Sequence, residues 1–314
     1  MRALVTGGAG FIGSNLADAL IAAGHQVAVL DDLSRGRRSQ VPEGAHFVEA
    51  DVNDDLTTVV STIRPEVVFH HAAQIDVRRS VSEPLVDTRI NVLGMVNLLQ
   101  ACAGSGVRRV VFASSGGAIY GDTALVPTAE DHPLRPASPY GAAKAAAELY
   151  GGVYAQLTGL EFVALRYANV YGPRQDPHGE AGVVAIFSRQ LLQDQVVTIN
   201  GDGTQTRDYV YVGDVVTANL EAITAPPGTY NVGTGVETDV NELYRRLEAV
   251  AGITAPALHG PAKAGEQQRS CLNPSRAASA LGWRPRTSLD AGLQATVGYF
   301  REMLSSSEEE AQPA

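Results

Sequence analysis

The 314-residue chain carries 24 Lys and Arg against 34 Asp and Glu, a formal net charge of −10, which argues against the cation-led attraction to phosphate that drives nonspecific nucleic-acid binding. No apolar run reaches the roughly 20 residues that span a bilayer, and two distant cysteines, Cys102 and Cys271, supply neither a disulfide framework nor a metal-ligand spacing. The opening residues Met1-Arg2-Ala3-Leu4-Val5-Thr6 run straight into a glycine-rich loop with no room for a charged leader, so a reduced, cytoplasmic setting is expected.

Along the chain, short β-branched runs alternate with longer helical patterns. Ala3–Thr6, Gln26–Leu30, Ala45–Glu49, Glu66–His70 and Arg108–Ala113 read as strands, with helices between several of them. That order predicts a parallel sheet covered on both faces, because a parallel neighbour is reached only by crossing back over a helix. A helix over Pro139–Leu157 and a strand over Glu161–Arg166 complete a doubly wound, Rossmann-type α/β unit over residues 1–168.

Beyond Asn169 the pattern turns irregular, with a Gly/Pro-rich stretch from Gly172 to Gly179, a helix near Val183–Leu192 and a short strand around Val197–Asn200. This reads as the start of a smaller substrate-binding α/β lobe, made mainly of residues 169–207 and 237–304. Val212–Ile223 and Thr229–Val232 read as rejoining the large sheet, so residues 208–236 return to the first unit and the two are interleaved. Asp239–Ala251 and Ser288–Met303 are amphipathic helices, and the Ser- and Glu-rich segment 305–314 is expected to be a disordered tail.

Thr6-Gly7-Gly8-Ala9-Gly10-Phe11-Ile12-Gly13 lies between the first strand and the first helix. Glycine permits a tight turn and lets backbone approach a pyrophosphate, while the helix start offers unpaired N–H donors. A glycine cluster alone fits a plain turn; its place between strand and helix is what points to a dinucleotide. Asp31 follows Gly13 by 18 residues at the end of the second strand, where a carboxylate can accept from ribose hydroxyls and repel a 2′-phosphate. With Asp32 this favours NAD, although Arg35, Arg37 and Arg38 could host an extra phosphate and Asp31 could be a solvated turn residue. His70 and His71 find no third ligand at metal spacing and read as a strand-end pair.

Tyr140-Gly141-Ala142-Ala143-Lys144 opens a helix after Ser138-Pro139, and a separation of four puts phenol and ammonium on one face. A phenol with a reference pKa near 10 is a poor base at neutral pH, and a nearby ammonium favours its ionised form. The preceding strand ends in Ser114-Ser115-Gly116-Gly117-Ala118-Ile119-Tyr120-Gly121.

With Gly7, Gly10 and Gly13 at three-residue spacing, Arg89-Ile90-Asn91-Val92-Leu93-Gly94, Arg166-Tyr167-Ala168-Asn169-Val170-Tyr171-Gly172-Pro173 and Arg207-Asp208-Tyr209-Val210-Tyr211-Val212-Gly213-Asp214, the chain resembles the extended short-chain dehydrogenase/reductase family from end to end. Within that family it is similar to the NAD-dependent UDP-sugar 4-epimerases. The resemblance implies a cofactor site at Gly7, Gly10, Phe11, Ile12, Gly13, Asp31, Asp32, Ser34, Gly36, Asp51, Val52, His71, Ala72, Ala73, Gln74, Asn91 and Tyr167. It implies Tyr140 as general acid/base and Lys144 as its electrostatic partner on the nicotinamide ribose. Asn169 and Arg207 would hold the substrate diphosphate, a role that suits a guanidinium, although Arg207 could instead pair with Asp208. Val183, Val184 and Ile199 would flank the uracil or be core.

One position departs from the pattern. Four residues before Tyr120, where the family keeps a Ser or Thr for the reacting hydroxyl, stands Gly116. Ser115 is expected to supply that hydroxyl, with Ser114, or no partner, as alternatives. The rival 4,6-dehydratase reading needs an acid pair where Gly117-Ala118 stands, and a keto-sugar reductase would use the same Tyr and Lys with an exchanging cofactor. A non-enzymatic dinucleotide-binding regulator is disfavoured by the intact Tyr140 and Lys144. The pocket wall that sets sugar bulk falls near Ser270, Arg269 could meet the diphosphate, and a uronate would need a cation such as Arg174. No metal, nucleic acid or membrane is expected as a partner. A homodimer is, by resemblance, through the helices bearing Leu98, Leu99, Leu149 and Tyr150.

Overall fold

The computed structural model describes residues 1–178, 182–263 and 267–310. In chain order its elements are β1 (Arg2–Thr6), α1 (Phe11–Ala22), β2 (Gln26–Asp31), β3 (His46–Glu49), α2 (Leu56–Ile63), β4 (Val67–His70), α3 (Val77–Ser82), α4 (Pro84–Thr88), a π-helical stretch (Arg89–Leu93), α5 (Gly94–Cys102), β5 (Arg109–Ser115), α6 (Gly116–Ile119) and α7 (Pro139–Thr158). There follow β6 (Glu161–Tyr167), β7 (Asn169–Tyr171), α8 (Val183–Leu192), β8 (Thr198–Asn200), β9 (Thr206–Arg207), β10 (Tyr209–Tyr211), α9 (Val212–Glu221), β11 (Gly228–Val232), β12 (Thr238–Asp239), α10 (Val240–Ala251), β13 (Leu258–Gly260), β14 (Arg269–Ser270), α11 (Ser275–Ala280) and α12 (Leu289–Glu310).

Seven strands form one parallel sheet in the order β11-β6-β5-β4-β1-β2-β3. Its strands read as unbroken apolar runs, as burial on both faces requires: Val67–His70 is wholly buried, and Val110, Val111 and Phe112 are at most 1% exposed. Leu16, Leu20, Val215 and Trp283 close one face, and Leu56, Val60, Leu98 and Leu99 the other. The strand order reverses direction between β1 and β4, which opens a crevice above Thr6 and His70 at their carboxyl ends. The lobe has a core of its own, where Phe187, Leu191, Leu243, Leu247, Leu293 and Val297 meet between α8, α10 and α12.

Three expectations change. Val212–Ile223 does not rejoin the sheet: Val212–Glu221 is a helix, because Val212, Val215, Val216 and Asn219 recur at helical spacing and bury against α1, and only β11 enters the sheet. Ala277, Leu281 and Trp283, read with the lobe, pack in the sheet's core instead. Ser305–Glu310 is not a disordered tail but the end of α12. Its apolar stripe Leu293, Val297, Phe300, Leu304 carries the helix past Met303, and glutamate is a good helix former. Residues 311–314, Gly179, Gly265 and Glu266 lie outside the described residues.

Candidate active site

The crevice begins with backbone. Gly7 takes φ +66°, and a Cβ there would stand 2.6 Å from the Ala72 nitrogen; a Cβ on Gly13 would stand 2.2 Å from the Gly7 oxygen. Only glycine lets the loop, the start of α1 and the end of β4 close together like this. Gly10 caps α1 without a side-chain bond, and Ser14 is the first residue whose N–H closes onto the turn, at 3.0 Å from the Gly10 oxygen. The amides of Phe11, Ile12 and Gly13 are left at a helix N-terminus, a ready site for an anion.

A cleft of about 480 Å³ opens over these amides, walled by Gly7, Gly10–Gly13, Asp31, Asp32, Ser34, Gly36, Asp51, Val52 and 71–74. Asp31, 7% exposed, accepts from Ala9 N (2.9 Å) and Leu33 N (3.0 Å), which fixes the acidic end of β2 against the glycine loop. Burial pushes its carboxyl up while those amides pull it back. Free amides for a pyrophosphate, a carboxylate at the strand end and a cleft of this size fit a dinucleotide.

Two residues expected on the cofactor stand behind it. Asn91 is 3% exposed; its side chain accepts from Gln74 N (3.0 Å) and donates to Gln74 O (2.9 Å) and to Asp87 Oδ1 (2.9 Å). It braces the 71–74 wall from within the π-helical stretch. Tyr167, 5% exposed, donates its hydroxyl to Asn219 Oδ1 (3.1 Å) and stacks on His71 with ring centroids 6.3 Å apart. Burial pushes its phenol up.

The Tyr140 and Lys144 pair comes next, with the Lys144 charge felt at His71. Ser138 caps α7 by accepting from Gly141 N (3.1 Å), and Pro139 takes the first helical position, so Tyr140 and Lys144 occupy successive turns of one face. Lys144, 3% exposed, donates to the Ala113 carbonyl (2.9 Å), with Nζ 4.8 Å over the Phe112 ring and 5.8 Å from the Tyr140 ring centroid. Burial lowers its pKa to about 8, opposed by the charges of Asp87 and Glu148. Burial pushes the Tyr140 phenol up to about 12; a hydrogen bond with the Ser115 hydroxyl pulls it down, and the Asp87 charge adds to the rise. His71 is pushed down to about 4 by burial and by the Lys144 charge.

The departure at Gly116 has a local cause. A Cβ there would lie 2.5 Å from Leu272 Cδ1, so a leucine from the lobe fills the space of the family's hydroxyl side chain. Of the two serines before it, Ser114 donates to Glu148 Oε1 (2.5 Å), while Ser115 meets Tyr140. Glu148 in turn holds Arg166 through Nη2 (2.6 Å) and Nε (3.0 Å), and Arg166 donates to the Tyr120 hydroxyl (2.8 Å). This buried network was missed in the sequence, although Glu148 follows Lys144 by one more turn.

On the lobe side, β9 pairs with β14 in the register Thr206 with Arg269 and Ser270 with Arg207. Alternation therefore puts Arg207 and Ser270 on one face and Arg269 on the other. A Cβ at Gly117 would be 3.7 Å from Ser270 Oγ and 3.9 Å from Asn169 Oδ1, so these two side chains face the end of β5. Arg269 pairs with Glu237, its Nε 2.9 Å from Oε1. The buried carboxylate of Asp208 accepts from Thr234 N (2.8 Å), Gly235 N (3.1 Å) and Leu272 N (3.2 Å). Val184 and Ile199, 1% and 2% exposed, belong to the lobe core, and Val183 packs against it. Arg174 pairs with Asp18 (2.6 Å).

Comparison with known proteins agrees with this geometry. Residues 3–233 match the family model described as NAD dependent epimerase/dehydratase family. The UDP-glucose 4-epimerase of Mycolicibacterium smegmatis is 49% identical over 310 residues, covering 96% of this chain and 99% of that protein. Among solved structures, the UDP-glucose 4-epimerase of Thermotoga maritima with UDP-glucose superposes with a TM-score of 0.95 at 46% identity, covering 97% of this chain and 100% of that one. The Thermus thermophilus UDP-glucose 4-epimerase in complex with NAD does so with a TM-score of 0.92 at 47% identity, covering 96% and 99%.

Proposed function

This chain belongs to the NAD dependent epimerase/dehydratase family, and from that premise we infer that it inverts C4 of a UDP-sugar with bound NAD, UDP-glucose being the first substrate to try. The observation that carries the assignment of roles is the stack of Ser115, Tyr140 and Lys144 beside a glycine-built dinucleotide cleft. NAD held in this cleft would supply a reversible hydride acceptor for C4. Tyr140 takes the proton of the C4 hydroxyl and gives it back, and its phenol, held high by burial, needs positive charge nearby to do so. Lys144 supplies that charge from the buried side, fixed by the Ala113 carbonyl. Ser115 aligns the sugar hydroxyl with the phenol.

Asn169, Arg207 and Ser270 form the substrate side, with Arg207 the guanidinium for the diphosphate. The 4,6-dehydratase alternative lacks support where it needs acids: Gly117 and Ala118 replace them, and the neighbours of Gly117 are the neutral Ser270 and Asn169. Ser115→Ala should lower kcat about tenfold to a hundredfold while bound NAD stays constant; unchanged turnover would remove Ser115 from the mechanism. The reaction itself is tested by proton NMR of UDP-glucose, UDP-N-acetylglucosamine and UDP-glucuronate in separate tubes. A new anomeric signal from a C4-inverted sugar names the substrate, and three unchanged spectra would contradict the reading.

A homodimer goes with this function. Leu98 and Leu99 are core, but Leu149 (68% exposed), Val153 (49%) and Leu157 (76%) make a stripe along α7, with Leu85 on the neighbouring α4 84% exposed. An apolar face of this kind suits a second copy of the chain, to be tested by light scattering. A cytoplasmic setting is consistent with two free, buried cysteines. Among the described residues no helix is long and apolar enough to cross a membrane.

A further inference from the structure

We propose that the last turns of α12, through Tyr299, Phe300, Met303 and Leu304, form an outer wall of the dinucleotide cleft and hold the cofactor in place between turnovers. The inference rests on the reading of that cleft as the NAD site. These four side chains line the same cleft as Gly7, Phe11, Asp31 and Ala72, although they come from the lobe, about 300 residues along the chain from the glycine loop. Positions 299 and 303, and 300 and 304, are one turn apart, so the four make one apolar patch on the helix.

The patch is set on a fixed support. Leu293 and Val297, earlier on the same helix, are buried in the lobe core with Leu243 and Leu247. Arg301, between the lining residues, reaches to the other side and donates to the Ala251 carbonyl (3.0 Å). Phe300 is 4% exposed and packs edge-on against Tyr299 with centroids 5.5 Å apart, whereas Met303 is 39% exposed. Met303 lines the cleft at that point.

The other lobe residues of the cleft are tied to α1. Asn15 in α1 donates to the Pro173 carbonyl (3.2 Å), and Arg174 pairs with Asp18 (2.6 Å), so the stretch after β7 is tied to the beginning of α1. Arg174, Gln175 and Arg189 continue the cleft wall from there toward α12. Epimerisation has no net oxidation, so a cofactor that leaves between turnovers gains nothing for the reaction. Apolar cover over a bound ligand excludes water and slows departure.

The test compares wild type with Met303→Ala and with Tyr299→Ala/Met303→Ala. Two quantities are measured: the NAD remaining per chain during timed dialysis, and the rise in Tm when NAD is added to cofactor-stripped protein. The double variant should lose NAD about tenfold faster and show a smaller NAD-induced rise, with the stripped Tm unchanged. If the double variant does not fold, Met303→Ala, which removes a side chain already partly in solvent, should lose NAD about threefold faster. Retention and Tm rise equal to wild type in the folded variants would overturn the wall. A wild-type protein that neither carries nor binds NAD would overturn the cofactor reading beneath it.

Discussion

The two halves of the site are built from different materials. On the sheet side the groups facing the cleft are mainly backbone: the turn at Gly7, the free amides of α1 and the end of β4, approaching so closely that a single Cβ would collide. On the lobe side they are side chains, Asn169 and Ser270, carried on strands of three and two residues and leaving Gly117 room for a methyl at ordinary contact distance. A site made of backbone is specified by what it excludes, and one made of side chains by what it places. The first should fail abruptly on substitution and the second by degrees.

The sharpest break is Gly13→Ala. Its Cβ would sit 2.2 Å from the Gly7 oxygen, so α1 must move off β1; soluble yield and bound NAD should both collapse. A variant that keeps full NAD would contradict the close approach. Next comes Tyr140→Phe, which removes one oxygen at the seam between the halves. It should lower kcat about a thousandfold, with bound NAD and Tm unchanged; loss of NAD as well would mean that Tyr140 belongs to the binding half.

Lys144 separates stability from catalysis by pH. Burial lowers its folded pKa from 10.5 to about 8, so above pH 8 the folded chain has shed a proton that the unfolded chain keeps. The unfolded state then binds more protons, and stability must rise with pH across this window. Tyr140, raised from 10 to about 12, keeps its proton there in the folded chain while the unfolded chain begins to lose it, a smaller opposing effect that wild type and variant share. Urea unfolding of wild type against Lys144→Met should show a gain of about 3 kcal/mol between pH 8 and 10.5 that the variant lacks, while wild-type turnover falls as the ammonium is lost. The mildest change is Gly117→Ala. At 3.7 Å from Ser270 Oγ and 3.9 Å from Asn169 Oδ1 its methyl makes ordinary van der Waals contact, and KM should stay within about threefold of wild type; a large loss would mean that the lobe closes tighter than its strands indicate.

Legibility in the sequence followed the same division. The sheet half could be read because each strand is an apolar run bounded by a turn, and because glycine at positions 7, 10 and 13 leaves a one-letter trace of backbone crowding. Tyr140 and Lys144 were legible because helical spacing alone puts them on one face. In the lobe the helices α8, α10 and the start of α12 were legible by the same spacing, whereas strands of two residues carry no periodicity and contacts such as Arg269 with Glu237 join distant segments. Leu272 beside Gly116 is of the same kind: two motifs from opposite ends of the chain exchange volume, and neither reveals it alone. The depth of Asn91 and Tyr167, buried against Gln74 and His71, is of the same kind, because one dimension of sequence does not distinguish a wall from its brace. The end of α12 was read as a tail because Ser and Glu suggested disorder, while the stripe ending at Leu304 went unused.

The central claim is that hydride leaves C4 and returns to the same carbon without net oxidation. Its most direct test is turnover of UDP-glucose deuterated at C4 in ordinary water, followed by proton NMR. The account expects a C4-inverted sugar that keeps the deuterium at C4. Inversion with loss of the label to solvent, or no inversion with any UDP-sugar, would contradict it.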